Sequence, residues 1–175
     1  MKRRSNTKQP HDPHVLFLDE GISGDELVTL LTKGKLSVRP FESLLKKNKK
    51  VPDDRVIEAV AKANYILLTK DDRMETEWVG DIIRHCAKVI LLTDDAGGPM
   101  NWASAMICSY DSWSRILLDH PKEPVTIRVG RTGKISKLSG SKELTSRKKK
   151  IETSRIIRAK RSGLSHRSEV RRKPV

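Results

Sequence analysis

Residues 65–72 read Tyr-Ile-Leu-Leu-Thr-Lys-Asp-Asp, and this stretch decides the fold of the chain. Its first five residues form an apolar run of the length typical of a buried β-strand, and the run stops abruptly before a pair of acids. Helical patterns lie on both sides of it, over residues 52–64 and about residues 75–87. A buried strand between two helices indicates an α/β protein with a parallel sheet.

The same alternation extends outward in both directions. Further strands are predicted at residues 15–18, 36–38 and 89–92. Ser23 is predicted to cap a helix in a capping box with Glu26. One long helix is predicted to carry the spaced apolar residues Trp102, Met106, Tyr110, Trp113 and Leu117.

These elements predict a three-layer α/β/α fold with a mostly parallel sheet. Residues 124–135 predict a β-hairpin at the edge of that sheet, with a glycine-containing turn at its centre. The tryptophans and Tyr110 are predicted to lie in the core, because aromatic residues make up only 4% of the chain and leave little material for base stacking.

Pairs of acids follow three of the predicted strands, and a fourth pair opens a helix: Asp19 with Glu20, Asp71 with Asp72, Asp94 with Asp95, and Asp53 with Asp54. The carboxyl ends of parallel strands meet at one edge, where crowded carboxylates repel one another unless a cation is present. Mg²⁺ and Mn²⁺ prefer such oxygen ligands. The predicted metal ligands are Asp19, Glu20, Asp53, Asp71 and Asp94. Turns and helix N-termini also favour acids, so a purely structural role stays open for each pair.

The positive charge of the chain, +14, lies mostly outside the predicted domain. Residues 1–14 hold four basic and one acidic residue, and residues 141–175 hold thirteen basic and three acidic residues. We therefore predict a basic extension at residues 1–13, a domain at residues 14–138, and a basic tail at residues 139–175 that is disordered or forms a marginal helix. Basic tails bind polyanions such as free RNA or ribosomes. The predicted RNA-binding residues are Lys148, Lys149, Lys150, Arg155, Arg158, Lys160 and Arg161.

Other function classes lack their motifs. The chain has no P-loop, no GxGxxG and no GxSxG, and its five histidines are scattered. Cys86 and Cys108 are predicted to be buried and reduced. With no membrane-length apolar run and no secretory signal, the sequence predicts a cytoplasmic protein.

Three motifs resemble the PIN-like domain superfamily, and within it the short PIN-like proteins related to the toxin ribonucleases of type II toxin–antitoxin modules. They are Phe17-Leu18-Asp19-Glu20, Pro52-Asp53-Asp54-Arg55-Val56-Ile57 and Ile66-Leu67-Leu68-Thr69-Lys70-Asp71-Asp72. The ending at residues 117–138 is also similar, so the resemblance covers residues 14–138. One departure is Arg73 with Met74, where the group often has an acid and a phenylalanine.

The resemblance implies an endoribonuclease that depends on Mg²⁺ or Mn²⁺, with Asp19, Asp53 and Asp71 as catalytic acids. It further implies that Thr69 orients its neighbour by a hydroxyl hydrogen bond. Glu20 is a candidate fourth acid, and because Arg73 and Met74 depart from the pattern, Asp72 and Asp94 are candidates as well. An antitoxin protein would cover the acidic cleft, and a second copy of the chain in a homodimer is a further expected partner. The alternative is a PIN-like RNA- or protein-binding module whose metal site is incomplete.

Overall fold

The computed structural model describes residues 14–45, 51–93, 97–140, 142–146, 148–154 and 156–157. The elements are β1 (Val15–Leu18), α1 (Asp25–Lys33), β2 (Ser37–Arg39), α2 (Asp53–Lys62), β3 (Ile66–Thr69), α3 (Val79–His85), β4 (Lys88–Leu92), α4 (Pro99–Cys108), α5 (Tyr110–Asp119), β5 (Val125–Val129) and β6 (Ile135–Ser139). Short 3-10 turns lie at Phe41–Ser43 and Asp72–Glu75. No helix in these ranges is long and apolar enough to cross a membrane.

The strands form one sheet in the order β2-β1-β3-β4-β5-β6. β1 to β5 pair in parallel, and β6 pairs antiparallel with β5. The α/β fold with a mostly parallel sheet and the hairpin at the sheet edge are therefore confirmed. Gly133 in the hairpin turn has φ +76°, and a Cβ atom there would lie 2.9 Å from the carbonyl oxygen of Ala105, so the turn requires glycine.

The strand side chains alternate between two groups of buried residues, as the twofold period of a β-strand requires. The first core group contains Leu16, Leu18 and Leu68, and it packs with α1, α4 and α5. The second core group contains Phe17 and Leu67, and it packs with α2 and α3. The central strand β3 is buried along its whole length because both groups cover it.

Helical residues continue beyond the last strand and pack against the domain. Residues 142–146 and 148–154 are helical, and Leu144 is fully buried in the second core group. Ile151 packs against the same group. We call residues 142–157 the C-terminal segment. Packed residues therefore continue past residue 138, and of the two forms predicted for the tail, disordered or marginally helical, the described residues of this segment are helical.

Local predictions needed three further corrections. Gly24, not Ser23, precedes α1, and the Ser23 hydroxyl instead accepts a hydrogen bond from the Phe41 backbone N–H. The predicted long helix is two helices separated at Ser109, whose hydroxyl donates to the carbonyl oxygen of Ala105 at 2.7 Å and competes with the helical pattern. Cys86 and Cys108 are exposed rather than buried.

Candidate carboxylate site

The candidate site lies at the carboxyl ends of β1 and β3, which are neighbours in the sheet although β2 lies between them in sequence. The chain turns outward from β1 to β2 and then crosses to β3, so the direction of strand order reverses here. In α/β sheets a crevice forms at such a switch point. The Asp19 backbone N–H donates to the carbonyl oxygen of Leu68 at 3.0 Å, which holds the end of β1 against β3.

Thr69 connects two of the predicted catalytic acids. Its hydroxyl donates to Asp19 Oδ2 at 2.6 Å and accepts from the backbone N–H of Asp71 at 3.0 Å. Thr69 is fully buried, so water does not compete for these bonds. The hydroxyl thus has the orienting position that the resemblance implied.

Asp53, the third predicted catalytic acid, interacts electrostatically with the other two. It is the first residue of α2 and half-buried. Burial raises the pKa of Asp53 above its ordinary value, and the negative charges of Asp19 and Asp71 raise it further, whereas Arg73 opposes the shift. Hydrogen bonds through Thr69 therefore link Asp19 to Asp71, and Asp53 lies near enough for their charges to raise its pKa.

Arg73 neutralises part of this charge. Its guanidinium donates to both carboxylate oxygens of Asp71, with Nε–Oδ1 at 2.9 Å and Nη2–Oδ2 at 2.6 Å. The backbone N–H of Arg73 also donates to Oδ1 at 3.0 Å. These bonds hold the pKa of Asp71 below its usual range and raise the pKa of Arg73. The sequence showed Arg73 as a departure from the PIN-like pattern, but not its pairing with Asp71.

An ion pair between a buried glutamate and a half-buried arginine supports the 3-10 turn that follows Asp71. Glu75, in the turn Asp72–Glu75, is only 3% exposed, and its Oε1 accepts from Arg128 Nε at 3.1 Å. Arg128 belongs to β5, two strands away from β3. No sequence motif indicated this pair, because the partners are far apart in the chain and join only when the sheet forms.

The remaining predicted acids have peripheral positions. Glu20 is exposed, and its backbone N–H donates to Asp19 Oδ1 at 2.8 Å. Asp72 is exposed at the start of the 3-10 turn. Asp94 lies outside the described residues.

The fit of a divalent cation is mixed. Three carboxylates supply the oxygen donors that Mg²⁺ and Mn²⁺ prefer. The pKa of Asp53 is raised first by burial and then by the charges of Asp19 and Asp71, and a cation would relieve the second of these effects. Among the described residues, however, no three acids, histidines or cysteines lie close enough together to hold a metal ion as they stand. The donor chemistry fits, and Asp71 is engaged by Arg73.

The predicted RNA-binding residues are only partly described. Lys148, Lys149 and Lys150 are exposed on the C-terminal segment, and Lys148 Nζ lies 4.0 Å from Glu152 Oε1. Arg155, Arg158, Lys160 and Arg161 lie outside the described residues.

Comparison of the chain with protein-family models, with curated proteins and with solved structures gives no match. The resemblance to PIN-like proteins therefore rests on the sequence motifs at residues 17–20, 52–57 and 66–72 alone.

Proposed function

We propose that this chain is a PIN-like protein with a three-layer α/β/α fold that cleaves RNA phosphodiesters with the help of Mg²⁺ or Mn²⁺. The observation that carries the proposal is the link from Asp19 through the Thr69 hydroxyl to Asp71 at the ends of the neighbouring strands β1 and β3. Asp53 lies near enough for the charges of both acids to raise its pKa. The alternation of strand side chains between two core groups supports the three layers.

In this proposal Asp19, Asp53 and Asp71 would hold the metal ion. When bound, the ion would neutralise the phosphodiester charge and lower the pKa of a water molecule. Thr69 keeps the Asp19 carboxylate and the Asp71 backbone in a fixed relation, and Arg73 supplies a positive charge beside them for a phosphate oxygen. The lysines at positions 148–150 would add sequence-independent phosphate contacts. A cytoplasmic location, an antitoxin partner and a homodimer belong to the same proposal.

The test is cleavage of a mixed structured RNA with Mn²⁺ by the wild type and by Asp19→Asn and Asp71→Asn. We expect both substitutions to abolish cutting, because each removes a charge from the proposed site. Asp111→Asn is the matched control, since Asp111 is exposed on α5, away from the site, and it should cut like the wild type. Cutting that survives both site substitutions, with all variants folded, would refute the proposal.

A second function is favoured by the pairing of Arg73 with Asp71. A guanidinium bound to both oxygens of Asp71 makes the site a weaker cation ligand, which suits an RNA- or protein-binding module without metal chemistry. The two functions differ in their response to Mn²⁺. A metal-binding site gains thermal stability from Mn²⁺, because a ligand that binds only the folded state stabilises it, whereas a binding module shows no shift.

A further inference from the structure

Lys70 lies between the site residues Thr69 and Asp71 but points away from them. Successive strand side chains alternate in direction, and Leu67 belongs to the second core group whereas Leu68 belongs to the first. The Thr69 side chain lies on the same face of the sheet as Leu67, and its hydroxyl donates a hydrogen bond to Asp19. Lys70 continues the side of Leu68, and its Nζ lies 5.7 Å from the ring centroid of Trp102 in α4. The edge of the sheet therefore separates the carboxylates from a lysine–tryptophan pair.

Trp102 is half-buried in the first turns of α4. Part of its side chain packs against the first core group, and its ring is within reach of the Lys70 ammonium. The stem of Lys70 passes over the turn that follows Asp19, since a Cβ atom on Gly21 would lie 3.8 Å from Lys70 Cε. The pair thus spans from the turn after Asp19 to α4, on the other side of the sheet edge from the carboxylates. As predicted, the tryptophans pack in or against the core groups, but Trp102 is only partly covered.

We propose that Lys70 and Trp102 form a subsite for one unpaired nucleotide next to the cleaved phosphodiester. The base stacks on the indole of Trp102, and Lys70 pairs with the phosphate of that nucleotide. The inference rests on the proposed RNA substrate of the carboxylate site, and it names single-stranded RNA as the form that binds. A duplex does not fit the subsite, because a paired base has no free face to offer the indole.

The base must replace the ammonium on the indole. An exposed cation over a tryptophan ring is held weakly, and a base that stacks on an aromatic side chain is held more strongly. Lysine is flexible and strongly hydrated, so its ammonium can leave the ring for a phosphate oxygen without losing a fixed geometry. The exchange therefore favours the bound nucleotide.

The experiment measures binding without cleavage. A single-stranded RNA of about a dozen nucleotides, within the length covered by single-strand-binding domains, is titrated in EDTA into the full chain carrying Trp78→Phe. The remaining tryptophans are Trp102 and the fully buried Trp113. We expect quenching of fluorescence on binding, roughly ten-fold weaker affinity in Trp102→Leu, and near-normal affinity in Trp102→Phe. Lys70→Gln should reduce the salt dependence of log K by about 0.7, and the exposed Lys62→Gln is its matched control.

Each outcome decides the inference. RNA binding without quenching of tryptophan fluorescence overturns it, and this outcome does not require that Trp102→Leu folds. Equal RNA affinity of Trp102→Leu and the parent protein also overturns it. So does an equal loss of affinity in Trp102→Leu and Trp102→Phe. Absence of RNA binding in EDTA also overturns it. Cleavage with Mn²⁺ that needs Asp19 and Asp71 tests the proposed function separately. Stacking without cleavage supports the subsite and favours the binding module.

Discussion

At the scale of single residues, Thr69 has a role that its shape alone does not explain. Valine has nearly the same shape, so Thr69→Val removes the hydroxyl and its bonds to Asp19 and Asp71 with little change in packing. We expect a loss of about 1–2 kcal/mol in the free energy of unfolding, measured with urea, since one bond involves a carboxylate.

Thr126 offers the matched control for this substitution. It is also fully buried, in β5, but its hydroxyl has no hydrogen-bond partner among the residues described. Thr126→Val should therefore be neutral or slightly stabilising, because it removes an unsatisfied polar atom from the core. Equal losses in the two variants would show that the Thr69 hydroxyl has no special role.

Asp53 gives a prediction with a definite pH dependence. Its pKa is raised in the folded state, so its ionised form opposes folding above that pKa, and the penalty disappears as the pH falls toward the ordinary value of 3.8. Asp53→Asn should raise Tm near neutral pH, and the gain should shrink in acid.

Asp71 contributes to stability with the opposite sign. The pKa of Asp71 is lowered by Arg73, so this pair stabilises the fold at neutral pH and the contribution is lost as the pH falls through the lowered pKa. Melting curves of Asp53→Asn and Asp71→Asn across this pH range should therefore diverge near neutrality and converge in acid. A lower Tm for Asp53→Asn near neutral pH would contradict the inferred cost of ionising Asp53 through burial and through the charges of Asp19 and Asp71.

At the scale of elements, the C-terminal segment is an integral part of the packed structure. Leu144 is fully buried, so Leu144→Ala should reduce the free energy of unfolding by about 2–5 kcal/mol, the usual cost of removing a buried leucine side chain. Ile156 is 56% exposed in the same segment, and Ile156→Ala is the control that should change stability by less than about 0.5 kcal/mol. A neutral Leu144→Ala would mean that the segment is only a tether.

The sequence predicted the elements whose signals are local. The apolar runs at β1, β3 and β4 identify strands because each is short, continuous and bounded by acids or glycine. Two features were missed where the apolar pattern gives no information. Ser109 separates two helices, and its hydroxyl hydrogen-bonds to the backbone within an otherwise helical pattern. Leu144 is buried although it is the one leucine in a highly charged stretch. In neither case does the periodicity of apolar residues reveal the outcome.

In the carboxylate site, too, the sequence predicted some features and not others. Asp19 and Asp71 lie at the same edge because β1 and β3 are parallel, and the sequence predicted a mostly parallel sheet. The sequence did not predict that β1 and β3 are direct neighbours. The guanidinium of Arg73 on Asp71 and the pairing of Glu75 with Arg128 depend on side-chain directions that only the folded chain defines. The spacing of Arg73 two residues after Asp71 was the one available signal for the first of these pairs.

At the scale of the whole molecule, RNA affinity should depend on charges far from the carboxylates. Lys148, Lys149 and Lys150 are exposed on a segment that is fixed to the second core group by Leu144. Replacing all three with glutamine should reduce the slope of log K against log salt by about 2 for single-stranded RNA, or about 0.7 for each lost phosphate contact.

The control for this measurement is a triple glutamine variant of Lys33, Lys35 and Lys62, which are exposed lysines elsewhere on the domain. It should leave the slope nearly unchanged, provided that RNA follows the C-terminal segment. Equal slopes in the two variants would indicate that the whole surface, rather than this segment, attracts the polyanion.

The two exposed thiols make the native chain ready for spectroscopy. Cys86 follows α3, which packs on the second core group, and Cys108 ends α4, which packs on the first. Maleimide dyes or nitroxides attached to them would place one reporter beside each core group without any engineered cysteine. Because both thiols are exposed, a preparation kept without reductant is expected to form disulfide-linked multimers. On a non-reducing denaturing gel these multimers would be read as oligomers unless the thiols are first blocked.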